Sequence, residues 1–280
     1  TEINGASGEL NLTKNYTNYD HYSANGITIN NNITIDGKGY TIDAQEYSRI
    51  FYITSGASIT LKNINIINGF KDGDCGGIYS NGNIIVIGSN FTNLTCYANG
   101  GAIYCTGNIT LTNSTFTNIK STDTWSDSGA IYCQGSVTVT NSTFTNTSTG
   151  GGSGGAITSI GSVTVTNSTF TNTTAGYRGG AISSSSNVTV TNSTFNNPRA
   201  YSNGVAINTA GVLNVKDSTF NCPTENGNTI MYQSSNEDVN LTNNTIQSNL
   251  LAVYTNGGRI VSPTRLTFDN VTGEAGSNVT

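Results

Sequence analysis

The sequence predicts an all-β solenoid: a right-handed single-stranded parallel β-helix of about nine coils, each about 25 residues long with three short strands. Three observations predict it. One tetrapeptide returns at a near-constant interval along most of the chain. Between its copies, apolar and polar residues alternate with the period of a half-buried strand. The chain is also poor in helix formers and rich in Thr, Val, Ile, Tyr and Phe.

The tetrapeptide is Asn-Ser-Thr-Phe, ending at Phe116, Phe144, Phe170 and Phe195, with variants ending at Phe91 and Phe220. Weaker copies end at Tyr40, Ile66 and Ile246, and successive copies lie 25 to 28 residues apart. A second landmark, Gly-Gly-Ala-Ile, precedes the Phe at residues 100–103, 154–157 and 179–182. Between the landmarks runs Val-Thr-Val-Thr, at 137–140, 163–166 and 188–191. A unit of this length is too short for a propeller blade and lacks the helix of a leucine-rich repeat. Stacked in register, its strands place the Phe, Ile and Val residues in three interior ladders. Asn113, Asn141, Asn167 and Asn192 fall at a corner, because Asn tolerates the left-handed backbone there. A second file follows at Asn93, Asn118, Asn146 and Asn172, and stacked amides can bond along the axis.

Residues 1–22 break the repeat and read as an N-terminal cap through Leu10, Leu12, Tyr16 and Tyr19. Residues 23–263 form the helix, with Ala252-Val253-Tyr254 as one more Gly-Ala-Ile strand and residues 259–261 as a last partial coil. Residues 264–280 read as a linker or the opening of an immunoglobulin-like domain. A first residue of Thr1 fits a processed product or a piece of a longer chain.

The composition narrows the function classes. Only 10% of residues are charged and the net charge is −5, with no basic stripe, which argues against nucleic acid. No apolar run reaches the ~20 residues of a membrane span. The single histidine, His21, and five cysteines without a Cys-x-x-Cys argue against zinc, and no cofactor is implied. Cys105 and Cys133 follow Ile-Tyr and should stack inside. Cys75 and Cys96 lie in neighbouring loops, either as a disulfide or as buried thiols.

Gly-Gly-Ala-Ile followed by Asn-Ser-Thr-Phe-Thr-Asn resembles the repeat of the polymorphic outer-membrane proteins. Residues 24–43, with Asn-Gly-Ile-Thr-Ile-Asn and Ile-Asp-Gly-Lys-Gly-Tyr-Thr-Ile-Asp, are similar to the large adhesin-like proteins of methanogenic archaea. The tail Val-Thr-Gly-Glu-Ala-Gly-Ser-Asn-Val-Thr is similar to the start of the immunoglobulin-like repeats that often follow in those proteins. The resemblance covers roughly residues 24–255. It implies an extracellular, cell-surface adhesin, and it brings no catalytic or binding motif with it.

Four residues are candidates for ligand binding. Tyr79, Tyr104 and Tyr132 each follow an interior Ile, so they should point outward on successive coils. Trp125, the only Trp, sits in the insert at residues 121–128 of the longest coil. Exposed aromatics on a rigid platform suit sugar or protein ligands; the competing reading is ordinary strand tyrosines with a wet edge. The expected partner is a glycan or protein on another cell surface, met by a monomer. A stalk that only spaces a distal domain is the alternative. A polysaccharide lyase or hydrolase would need clustered acids with Arg or His. Here Asp72 and Asp74 occupy one loop and Asp123 and Asp127 another, two coils away, so no catalytic residue is assigned. An outer Thr lattice, Thr138/Thr140 and its equivalents, has the look of ice-binding surfaces but spans only four coils. Among many Asn-x-Ser/Thr sequons, Asn11, Asn15 and Asn172 are the candidates for glycosylation.

Overall fold

The computed structural model describes residues 3, 6–17, 25–222, 229–248 and 250–262, with the backbone of Thr267–Phe268. Each turn is built as the repeat dictates. In one turn Ile131–Cys133, Val137–Thr140 and Thr143–Thr149 are the three strands. Each pairs in parallel with its copies in the turns before and after, giving sheets of 10, 11 and 14 strands and about ten turns. We call them the first, second and third sheets, in the order the chain meets them within a turn. No helix occurs among the described residues.

The pairing register stacks identical residues. Phe91, Phe116, Phe144, Phe170, Phe195 and Phe220 are fully buried, with successive ring centroids 4.7–5.0 Å apart and planes within 8°. The Ile file of the first sheet and the Val pairs of the second close the same core. Each ring contributes burial of about 1.5–3 kcal/mol and a further ~0.5–1.5 kcal/mol from its stacked neighbour.

The motif Asn-Ser-Thr-Phe is a corner whose every position has a task. The Asn takes the left-handed backbone, with φ of 51° at Asn113 and Asn141, 52° at Asn167 and 47° at Asn192. The Ser turns inward and is buried. The Ser142 hydroxyl donates to the Thr140 carbonyl at 2.9 Å and accepts the Ser114 amide at 3.1 Å, a pattern repeated at Ser168 and Ser193. This serine file satisfies a backbone amide that the corner removes from the sheet. The second Asn file bends the third sheet. Asn93, Asn118, Asn146, Asn172 and Asn197 all have φ of 53–55°, and each side-chain amide donates to its predecessor, as from Asn197 to Asn172 at 2.7 Å.

Inside that bend the file Leu94, Ile119 and Thr147 continues to Thr173. The Thr147 and Thr173 hydroxyls are buried without a hydrogen-bond partner. A buried, unpartnered hydroxyl costs about 1–3 kcal/mol. Thr147→Val keeps the shape and removes the hydroxyl, so it is expected to raise stability by about that amount, read as a higher urea midpoint. A lower midpoint would mean the hydroxyl has a partner.

At the N-terminal end Gly8–Asn11 pairs with Ile33–Asp36 and Tyr16–Thr17 with Ile42–Asp43, so residues 8–17 add an incomplete turn to the stack. Leu12 and Tyr16 are buried beneath it. At the other end Leu251–Thr255 pairs with Thr229–Gln233, and Ile260–Val261 with Val239–Asn240. Tyr19, His21 and the tail assigned to a linker or following domain lie outside the described residues, apart from the backbone pairing of Thr267–Phe268 with Thr245–Ile246.

Candidate functional site: an aromatic file beside an aromatic ridge

Alternation turns the residue after each interior Ile outward, and the register stacks these residues down the first sheet. The structure brings Tyr79, Tyr104 and Tyr132 together and adds Tyr52 at the head of the row, with ring centroids 5.4, 4.8 and 5.1 Å apart. The file continues as Thr158, Ser183 and Asn208, then returns to Tyr232 and Tyr254, 5.1 Å apart.

The stacking decides what this surface offers. Tyr79 and Tyr104 each have a ring on both faces, so a sugar cannot lie flat on either. The row presents ring edges and hydroxyls, and the Tyr104 hydroxyl accepts from Gln134 Nε2 at 3.2 Å. Burial raises the pKa of Tyr79, Tyr104 and Tyr132; neighbouring phenols and the Asp74 or Asp127 carboxylates push the same way. The phenols therefore stay neutral donors. Arg49, itself buried, closes the head of the row, 4.9 Å from the Tyr79 centroid, with its Nη2 donating to the Asp74 carbonyl at 2.7 Å.

Trp125 is elsewhere in the turn. It stands on the ridge of loops that joins the third sheet to the first, and it is 88% exposed. Tyr97, Tyr177 and Tyr201 occupy the same ridge at 52%, 48% and 74% exposure. Tyr97, Trp125 and Tyr201 each lie three residues before a left-handed corner, at Gly100, Ser128 and Gly204. That spacing is visible in the sequence, yet the repeat drew attention to the strands and these tyrosines were missed.

The acids of the ridge tie its turns together. Asp74 Oδ1 accepts the Asn99 amide at 3.0 Å, Asn99 Oδ1 accepts the Asp127 amide at 2.7 Å, and Asp127 Oδ1 accepts the Ser153 amide at 3.0 Å. Among the described residues no three His, Cys, Asp or Glu side chains are grouped to hold a metal ion.

The cysteines are free thiols, including Cys75 and Cys96, for which a disulfide was one expectation. Each donates to a carbonyl at 3.1 Å, Cys75 to Ala102 and Cys96 to Ala98, and burial pushes Cys75 up to about 12. Cys105 and Cys133 do stack inside, in a file with Ser80, Ser159, Ser184 and Thr209. The Cys105 and Cys133 thiols each donate to a glycine carbonyl at 3.1 Å in the preceding turn. The neighbouring Cys133 thiol and burial raise Cys105. Both cysteines thus serve as small buried donors in a mostly Ser/Thr file. Of the sequons, Asn172 belongs to the axial amide ladder and Asn15 Oδ1 accepts the Thr41 amide. A glycan attaches at the amide nitrogen, so on Asn172 it would compete with the ladder bond to Asn146, whereas the Asn15 bond, made through oxygen, leaves its nitrogen to carry one.

The three-sheet parallel stack, with short Asn-marked corners and an interior of apolar ladders lined by buried Ser and Thr files, defines an all-β solenoid. The chain belongs to the right-handed beta helix region family, whose model matches residues 76–246. No curated protein matches it.

Proposed function

We propose that this solenoid is a non-catalytic binding module displayed outside the cell, adhesin-like in use, that meets a glycan or protein on another cell surface as a monomer. The observation that supports the reading best is Trp125, an indole almost entirely in water on a rigid ridge with three exposed tyrosines. An exposed large aromatic has a solvation cost that contact with a partner relieves, and such residues dominate binding surfaces. The Tyr79–Tyr104–Tyr132 row lies on the adjoining sheet as a line of edges and hydroxyls suited to polar contact. The acids Asp74 and Asp127 are engaged in loop hydrogen bonds, which fits a scaffold better than acid–base work.

Glycan arrays and whole-cell binding test it. Trp125→Ala is expected to weaken binding by at least tenfold, as for a central aromatic contact, and Tyr104→Ala by less. Absence of any binding by the unaltered chain would favour a stalk that only spaces another domain, a reading supported by the unbroken ladders. Release of reducing or unsaturated sugar would overturn the non-catalytic assignment.

A further inference from the structure

We infer that the folded chain is built to carry N-linked oligosaccharides at Asn32, Asn108 and Asn187, on the corner between the first and second sheets. Each of these asparagines is exposed and immediately precedes a strand of the second sheet, Ile33–Asp36, Ile109–Thr112 or Val188–Thr191. One buried residue, Ile33, Ile109 or Val188, separates it from Thr34, Thr110 or Thr189. Alternation therefore sets the Asn and the Thr of each Asn-x-Thr sequon on the same outward face. The inference rests on display outside the cell, as proposed above, and not on the Trp125 surface.

The corner holds each amide by its oxygen. Oδ1 of Asn32 accepts the Ser58 amide at 2.9 Å, that of Asn108 the Ser136 amide at 2.8 Å and that of Asn187 the Val212 amide at 2.9 Å, each in the next turn. With the oxygen pinned to backbone, Nδ2 is left to solvent, and among the described residues no protein group meets it. Other sequons lack part of this arrangement. Asn90, Asn93, Asn146, Asn172, Asn192 and Asn240 donate from the nitrogen to an asparagine of the preceding turn. Asn113, Asn141 and Asn167 take the left-handed backbone, and the serine that follows each is held inside, so the sequon is bent. Asn83 is an internal control. Its Oδ1 accepts the Asn108 amide at 2.9 Å on the same corner, but Ile85 stands where a sequon needs Ser or Thr.

The modification is transfer of an oligosaccharide from a polyprenyl diphosphate by a separate oligosaccharyltransferase. Nδ2 attacks the anomeric carbon, and the new C–N bond forms as the C–O bond to the diphosphate breaks. The diphosphate leaves with that electron pair, and one Nδ2 proton passes to a base of the transferase. Oδ1 stays a carbonyl oxygen, so the hydrogen bond to the next turn survives the reaction. Two strands of the second sheet lie between those that follow Asn32 and Asn108, and two between those that follow Asn108 and Asn187. Successive sites are therefore three turns apart, ~14 Å at the usual strand spacing, which gives each glycan its own space. The ridge loops at 97–102, 122–130, 150–156 and 176–181 contain no sequon, so glycans on this corner leave the Trp125 ridge open.

The test is peptide mass mapping of two samples of the full chain. One is isolated from the surface of its own cells. The other is the folded chain after incubation with a single-subunit oligosaccharyltransferase and a polyprenyl-diphosphate-linked oligosaccharide, with isolated peptides carrying each sequon as the reference for transfer. Glycan is expected on Asn32, Asn108 and Asn187 in both samples, and not on Asn93, Asn146 or Asn192, whereas the peptides should accept it at every sequon. Asn108→Asp keeps the oxygen that accepts the Ser136 amide and removes the nitrogen, so it should lose that one glycan and melt like the parent. Adding Ile85→Thr to Asn108→Asp should move the glycan to Asn83, one turn back. Equal modification of Asn93 or Asn146 in the folded chain, refusal of the folded chain where the peptides are accepted, a bare chain from the cells, or a bare Asn83 in the double variant would each overturn the inference. A glycosylated chain that binds no cell or glycan would overturn the Trp125 surface and leave this inference standing.

Discussion

Phe144→Asp is expected to leave the middle turns unfolded. The Phe144 ring lies between Phe116 at 4.8 Å and Phe170 at 5.0 Å, and no part of it reaches solvent. Removing such a ring costs about 3–5 kcal/mol, and a carboxylate in its place adds several more because no cation is there to pair with it. Native stabilities are only about 5–15 kcal/mol. In a solenoid each turn is held by its two neighbours, so the loss of one interior layer releases both adjoining interfaces. Phe144→Leu keeps the interior apolar and should cost about 1–3 kcal/mol. Circular dichroism melts and limited proteolysis distinguish these outcomes, with cleavage expected first near residue 144. An Asp variant that melts within a few degrees of the parent would mean the ladder is not the core.

The fold was legible in the sequence because a solenoid writes its geometry into its period. A side chain at one position has the same neighbours in every turn, so Phe144 and Phe170 had to meet once both were seen to recur. The outward Tyr79–Tyr104–Tyr132 file followed from alternation alone. What alternation does not carry is the orientation of a ring about its own bonds. The tyrosines cover one another's faces, and that emerges only from coordinates. Nor does alternation reveal that the serine of Asn-Ser-Thr-Phe turns inward, where its hydroxyl links turn to turn. Arg178, whose guanidinium packs against the Tyr232 ring, occurs in one turn only, and a period carries no trace of a single contact. Its partner Tyr232 is 54 positions along the chain, two turns away in space.

The glycine pair of Gly-Gly-Ala-Ile separates two physical roles, and Gly155→Ala is the substitution that shows it. The first glycine is needed for its backbone: Gly100, Gly154, Gly179 and Gly204 have φ of 65–72°. The second has no left-handed φ and is needed for its size. A Cβ on Gly155 would stand 2.1 Å from the Gly180 carbonyl oxygen and 2.6 Å from the Thr174 amide nitrogen. Both obstacles are backbone of the next turn, the second of them in the strand Thr174–Ala175, so no side chain can rotate away. Relief requires the turns to part, against a spacing of about 4.8 Å that every ladder hydrogen bond enforces. Gly155→Ala is therefore expected to cost about 3 kcal/mol, the upper end of overpacking changes. Gly56→Ala is the control. Gly56 has φ of 85° but open space around the missing Cβ, so its cost is only the ~1–2 kcal/mol of a left-handed alanine. The same close approach recurs at Gly101, Gly129 and Gly180, and the glycine file ends at Val205, opposite which the next turn places Thr229. Urea unfolding of the two variants decides the matter: a Gly155→Ala penalty no larger than that of Gly56→Ala would show that the second glycine is kept for conformation and that the turns have room to spare.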